Sequence, residues 1–134
     1  MEYKAENNNV KMSPRKVRLV VDGIKKFDIN QSLSYLMLLP NRSAIPVKKT
    51  LDSAVANAVN NFKAKKENLF IKSIEVGEGM KYKRFHYAGR GRIRPYRRKT
   101  SRIRVVLGDK TEVKKAVETK VAKQEVKKEK EGMK

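Results

Sequence analysis

Between residues 81 and 104 the chain mixes cations with flat rings. Lys81, Lys83, Arg84, Arg90, Arg92, Arg94, Arg97, Arg98, Lys99 and Arg102 stand among Phe85, His86, Tyr87 and Tyr96. Eight of the eleven arginines fall between Arg84 and Arg104. A guanidinium is planar, permanently charged and able to grip a phosphate through two parallel hydrogen bonds, whereas an ammonium is a hydrated point charge. Aromatic rings and guanidinium planes stack on splayed bases. Together these residue types suit RNA, with phosphates taking the charge and bases taking the rings. Most charge runs are simply solvated, but residues 77–107 hold 11 Lys or Arg against Glu78 alone, and the interleaved rings have no use in a merely soluble surface. A membrane surface fits poorly, because the alternation leaves this stretch with no apolar face to insert.

Other candidate chemistry is thinner. Arg15, Lys16 and Arg18 form a basic set near residue 16 that is either solvent-facing or a second RNA contact. Asn57, Asn60 and Asn61 are poor mid-helix choices; they face solvent, touch RNA or cap neighbouring backbone, and spacing does not choose among these. His86 has no Ser or Asp partner near it in sequence, and general acid–base catalysis needs a positioned partner, so stacking or simple exposure is the expected role. With one His and no Cys, the tetrahedral zinc sets built from several such ligands are not available, nor is a thiol nucleophile or a disulfide. Gly77-Glu78-Gly79 and Gly89-Arg90-Gly91 each begin like a dinucleotide fingerprint, but Tyr82 and Arg94 stand where the third Gly belongs. No metal, cofactor or small-molecule substrate is implied.

The elements that must position these residues can be read from periodicity. Ser13-Pro14 predicts a helix start, with a Ser cap and Pro at the first helical position. Val17, Val20, Val21 and Ile24 follow at the spacing of one buried face, and Arg15, Lys16 and Arg18 fall mostly off it. A second helix is predicted over 29–39, with Leu33, Leu36 and Met37 on one face and Pro40 as its stop. A third is predicted over 43–65, capped by Asn41 and striped by Val47, Leu51, Ala54, Val55, Ala58 and Phe62. Residues 3–11 are polar but can form an edge strand. From Leu69 the chain turns β-prone, and Ile103, Val105, Val106 and Leu107 are β-prone again at the far end. Gly89-Arg90-Gly91 lies between them as a turn. This predicts one hairpin over 69–107 with Phe85 opposite Pro95 and Val76 opposite Arg104, and a bulge or bend at Gly77 and Gly79. Its outer half, about 80–101, cannot stand alone, since isolated two-stranded hairpins are marginal in water. At ~3.3 Å per residue, ten residues per strand reach ~35 Å beyond the core.

The 134 residues carry 34 Lys or Arg against 14 Asp or Glu, a net charge of +20. Residues 1–76 hold 14 basic and 7 acidic residues, and 108–134 hold 9 Lys, no Arg and 6 acids, so half of the excess sits in the segment 77–107. Such a charge repels itself in a compact state unless a polyanion neutralises it. The chain reads as one domain over 1–110 with a Lys/Glu-rich tail over 111–134; Val113, Val117 and Val121 permit a marginal helix there, and disorder is the expectation. No apolar run approaches the ~20 residues of a membrane span, and the polar start, with Glu2 and Glu6, reads as neither a secretory signal nor a transit peptide.

Residues 10–107 resemble the large-subunit ribosomal protein twenty-two family, found in all ribosomes. Ser13-Pro14-Arg15-Lys16-Val17-Arg18-Leu19-Val20 is similar to its first-helix signature. Leu51-Asp52-Ser53-Ala54-Val55-Ala56-Asn57-Ala58-Val59-Asn60-Asn61 is similar to its third-helix pattern. Glu78-Gly79, Lys83-Arg84-Phe85, Gly91-Arg92, Lys99-Thr100-Ser101 and Ile103 fall at the spacing of its hairpin. The resemblance implies an α+β fold, three helices packed on a small antiparallel sheet with a long protruding β-hairpin. It implies a structural role, not an enzymatic one: binding of large-subunit ribosomal RNA, support of subunit assembly, and a hairpin lining the nascent-peptide exit tunnel. Partners would be that RNA, neighbouring large-subunit proteins and the nascent polypeptide. The compartment would be the cytoplasm of a bacterial-type cell, with an organellar ribosome remaining open. The resemblance carries over Lys83 and Arg84 as RNA-facing, and the full expected RNA-binding set is Arg15, Lys16, Arg18, Asn57, Asn61, Lys81, Lys83, Arg84, Arg90, Arg92, Arg94, Arg97, Arg98, Lys99 and Arg102. The tunnel-facing tip would be Phe85, His86, Tyr87, Ala88, Gly89, Arg90 and Gly91. Two places depart from the family pattern: Tyr87-Ala88-Gly89 replaces the usual Pro-Arg-Ala of the tip, and Arg102 replaces the His before the last strand. The tail lies past the usual end of bacterial members. The alternative is a free-standing nucleic-acid chaperone or regulator outside the ribosome.

Overall fold

A computed structural model describes residues 1–109; the expected tail lies outside the described residues. The chain runs β1 (Glu2–Val10), α1 (Pro14–Ile24), α2 (Ile29–Leu38), α3 (Ala44–Phe62), a single 3-10 turn (Lys66–Asn68), β2 (Leu69–Tyr87) and β3 (Ile93–Asp109). The three strands form one antiparallel sheet in the order β1-β3-β2. The expected α+β architecture is what forms, and β3, last in sequence, is central in space.

Period-2 alternation decides which side of the sheet is covered. Tyr3 and Ala5 of β1, Leu69 and Ile74 of β2, and Ile103, Val105 and Leu107 of β3 are buried against the helices. Helix α1 buries Val17, Val20, Val21 and Ile24, the predicted stripe. Ser13 occupies the cap position and Pro14 the first turn, but the Ser13 hydroxyl makes no capping bond. Helix α3 buries Val47, Leu51, Ala54, Val55 and Ala58. It starts one turn later than Asn41 and ends at Phe62, where Lys63 enters the left-handed region at φ 54°. The N–H groups of Lys63 and Ala64 close the helix on the carbonyls of Val59 and Ala58. Phe62 stays more than half exposed, its ring tilted against Tyr3 at 5.2 Å.

The inward face of α2 and the register of the hairpin also depart from expectation. Met37 is exposed, and α2 turns Ile29, Ser32 and Leu36 inward, with Leu33 half-buried. The buried face includes a serine that apolar patterning ignores. In the hairpin Phe85 is opposite Pro95, as expected, but Val76 faces Ile103 rather than Arg104. The register shifts between Glu78 and Lys81, where Gly79 and Met80 together face Thr100. This bulge absorbs one residue of β2. The Thr100 hydroxyl donates to the Met80 carbonyl at 2.7 Å, and a Cβ on Gly79 would sit 2.5 Å from that hydroxyl. Only glycine fits. A matching irregularity lies on the other side of β3: Asn8 and Asn9 stand against Arg102, and Asn9 takes φ 74°. Both neighbours of β3 are thus kinked where the hairpin leaves the body.

Candidate nucleic-acid interface

Beyond the bulge, seven residue pairs from Lys81–Lys99 to Tyr87–Ile93 continue the ribbon with no third strand beside it, and the Tyr82 hydroxyl donates back to Asn9 Oδ1 of β1 at 3.3 Å. At ~3.3 Å per residue the paired arm extends roughly 20–25 Å. Thr100 and Ser101 are buried at its root, and from there to the tip every residue is exposed except the half-buried Tyr82 and Ala88. At the tip, Arg90 and Gly91 both take positive φ, 58° and 69°, as the mirror-image turns of hairpins require. The Ala88 N–H donates to the Arg92 carbonyl at 2.8 Å. The left-handed positions are therefore Arg90 and Gly91; Gly89 is not one of them.

Directly opposed residues share a face of the ribbon. One face carries Tyr82, Arg84 and His86 against Arg98, Tyr96 and Arg94. Here His86 stacks on Tyr96 at 4.3 Å and 8° between planes, and the Arg84 guanidinium lies 5.8 Å from the Tyr82 ring centre. Cations and ring faces are thus already interleaved as a stacking platform. The other face carries Lys81, Lys83, Arg97 and Lys99 near the root, then Phe85 with Pro95 and Tyr87 with Ile93 towards the tip. Phe85 and Tyr87 meet edge to face at 5.9 Å, and Phe85, Tyr87 and Ile93 are 57%, 83% and 54% exposed. The expectation of no apolar face needs correcting: one face ends in a small apolar patch, made by pairing across the strands.

The body sheet handles charge differently. Glu6 takes Arg102 at 2.5 Å and Arg104 at 2.6 Å. Those hydrogen bonds, from Arg102 first and Arg104 next, hold the Glu6 carboxyl below its ordinary value. Glu2 bonds Lys72 and lies 3.4 Å from Lys4, and Lys72 lowers its pKa most. Glu75 reaches Arg104 at 3.8 Å. At the arm's root Glu78 meets Lys81 at 2.6 Å and Lys99 at 3.7 Å, and is held low chiefly by the bond from Lys81. Outward of that point the arm has cations only.

The family model described as Ribosomal protein L22p/L17e matches residues 5–108. The chain belongs to this family. Curated proteins named large ribosomal subunit protein uL22 are similar to it over most of their length. That of Mesoplasma florum is 43% identical over 109 residues, covering 81% of this chain and 97% of the relative. That of Pelotomaculum thermopropionicum is 43% identical over 112 residues, covering 84% and 99%. That of Chloroflexus aggregans is 39% identical over 112 residues, with the same coverage.

Within this L22p/L17e fold the expected contact residues divide by what they already touch. Lys83, Arg84, Arg90, Arg92, Arg94, Arg97 and Arg98 lie together on the exposed arm, and Arg15 and Lys16 are exposed on α1. Arg18 is committed elsewhere, donating from Nε and Nη2 to the Val76 carbonyl at 3.2 and 2.9 Å and so tying α1 to β2. Asn57 donates to the Lys4 carbonyl at 3.3 Å and stitches α3 to the edge strand, whereas Asn61 is exposed. Arg102 belongs to the Glu6 pair. Sequence reasoning missed Lys11 and Arg42, which line a cleft at the arm's root with Lys16, Arg98 and Lys99. Each is an isolated cation in its own stretch, and only the tertiary fold brings them to the root. Among the described residues no cluster of His, Asp or Glu is placed to hold a metal ion, and no helix is long and apolar enough to cross a membrane.

Proposed function

We propose that this chain is a structural component of the large ribosomal subunit, binding large-subunit ribosomal RNA and supporting subunit assembly, with its arm lining the nascent-peptide exit tunnel. The observation that carries this reading is the arm itself: exposed cations and rings, with one acid at the root, on a ribbon that has no core of its own. Family membership supplies the setting, since the relatives are named as large-subunit proteins. Arg84, Arg94, Arg98, Lys81, Lys83, Arg97 and Lys99 would meet phosphates, with Arg90 and Arg92 at the tip and Arg15 and Lys16 on the body. Contacts of this kind position a protein on folded RNA and do not read sequence. The tip, residues 85–91, would border the tunnel, its apolar patch suited to a passing polypeptide and its cations to the RNA wall. Neighbouring large-subunit proteins are the remaining partners. The bacterial relatives favour a ribosome in bacterial-type cytoplasm.

The test is the salt dependence of binding to isolated large-subunit RNA. With ~6–10 phosphate contacts, affinity falls about 10³–10⁵-fold between ~50 and ~200 mM salt. A flat response overturns the electrostatic reading. Co-sedimentation with large subunits after a moderate salt wash separates a ribosomal component from a free-standing chaperone, which would be washed away.

A further inference from the structure

A cleft of about 600 Å³ opens where the arm leaves the body, and its charged lining comes from four separate stretches of chain. Lys11 comes from the link after β1, Lys16 from α1, Arg42 from the loop before α3, and Arg98 and Lys99 from the stretch of β3 at the base of the arm. No acid is among the lining residues; Glu78 approaches only Lys99, at 3.7 Å, from outside. Lys11, Lys16, Arg42 and Arg98 form no ion pair among the described residues, although Glu2, Glu6, Glu75 and Glu78 of the sheet each meet a cation. Five positive side chains around one opening repel one another unless an anion occupies it. The lining offers donors and an apolar wall at Met12, Ile45 and Pro46, with no aromatic ring to stack a base.

We infer that this cleft is a phosphate-backbone site for ribosomal RNA, and that the strand bound there locks the arm's direction. The inference rests on the RNA-binding reading above and deepens it. A backbone segment crossing the cleft accepts from Lys11, Lys16 and Arg42 on the body and from Arg98 and Lys99 on the arm. It therefore bridges two parts that are otherwise joined by strands bulged at Gly79–Met80 and Asn8–Asn9 and by the hydrogen bond from the Tyr82 hydroxyl to Asn9 Oδ1 at 3.3 Å. A bulge bends and twists a ribbon locally, so the root is where the arm's angle is least determined by the protein alone. RNA that touches both sides supplies the missing constraint.

The test compares full-length wild type, the double variant Lys11→Ala/Arg42→Ala, and the control Lys49→Ala, an exposed helix cation outside the cleft. Each binds large-subunit RNA across a salt series. The log–log slope should fall by about 2 in the double variant, one unit per lost phosphate contact, and stay at the wild-type value in the control. Spin labels on Ala88→Cys and Asn60→Cys, in a chain with no native Cys, should give a broad distance distribution when free and a narrow one with RNA bound. In the double-variant background the RNA-bound distribution should stay broad. A wild-type slope that the double variant leaves unchanged overturns the cleft site while leaving RNA binding intact. A distribution equally narrow with and without RNA overturns the lock. A flat wild-type slope overturns the RNA-binding reading itself.

Discussion

The β2–β3 ribbon has two ends built to the same rules. Both are antiparallel, both alternate side chains across two faces, and β3 runs unbroken through the two. At the body end Ile103, Val105 and Leu107 are fully buried under the helices, and Glu2, Glu6 and Glu75 balance Lys4, Lys72, Arg102 and Arg104 on the open side. At the arm end no helix covers either face, and beyond Lys81 and Lys99, which Glu78 pairs, the cations have no acid beside them among the described residues. Strand geometry is common to both ends; what differs is where the stabilisation comes from. A fully buried Val, Ile or Leu contributes about 1.5–3 kcal/mol, and the body has many. The arm has stacked rings and a turn, and leaves its charge to be satisfied by something else.

The largest effect that can break this contrast is removal of a core side chain. Leu51→Ala, at a fully buried position of α3, should cost about 2–5 kcal/mol in denaturant unfolding. Phe85→Ala on the arm should stay within ~0.5 kcal/mol. Replacing residues 81–99 by Asn-Gly should likewise leave the unfolding midpoint of the body near wild type while abolishing most RNA affinity. A body that fails to fold without its arm would erase the distinction between the two ends.

The next test lies on the boundary. Gly79→Ala forces a Cβ onto the Thr100 hydroxyl and backbone, and should cost ~1–3 kcal/mol by overpacking. Gly77→Ala, with open space around the new carbon, should change stability by less than ~0.5 kcal/mol. Equal effects at both would mean that the bulge is not what fixes the register. Arg18→Ala should lose ~0.5–1.5 kcal/mol, the usual net worth of a hydrogen bond, with RNA affinity little changed; the reverse outcome would return Arg18 to the interface.

The smallest effect is titration of the body's ion pairs. Glu2, Glu6 and Glu78 all have depressed pKa values through Lys and Arg partners. A carboxyl whose folded pKa lies below the unfolded one stabilises the fold above the unfolded value and loses that contribution as pH falls through the folded one. Unfolding stability should therefore decline as pH drops below about 4.5, the ordinary glutamate value. Glu6→Gln should flatten part of this slope, and high salt should shrink it, because exposed pairs are screened. No pH dependence below that value would mean that the charge balance of the body sheet does not contribute to its stability.

How much of this was legible in the sequence depends on how local each determinant is. The α1 stripe is a repeat within eleven residues, and it held. Helix α2 misled because its buried face includes Ser32, whose hydroxyl donates back to the Phe27 carbonyl at 3.5 Å, while Met37 remains outside. The hairpin was legible from its turn, but one residue taken up at Gly79–Met80 displaces every pairing on the body side, and the sequence shows only that a glycine is there. The arm's chemistry was plain because it needs nothing but density of charge and rings. Its apolar end was not, since Phe85, Tyr87, Ile93 and Pro95 become neighbours only across the strands. Arg18, Asn57 and Arg102 read as ligand residues because a side chain that grips a carbonyl or a carboxylate 53 or more residues away looks the same as one that grips a phosphate.

The central position of β3 also has a mechanical meaning. The strand that leaves the tip is the one clasped on both sides within the body, by β1 and by β2. Antiparallel hydrogen bonds lie perpendicular to the strands, so tension along the ribbon loads them in shear, many at once, and cannot peel them singly. A tug at Arg90 is delivered along β3 to the pairs from Asn7–Ile103 to Glu2–Gly108 together. The arm is thus moored against an axial pull, while bending at its bulged root stays free, and its anchorage lies in the best-packed layer of the protein.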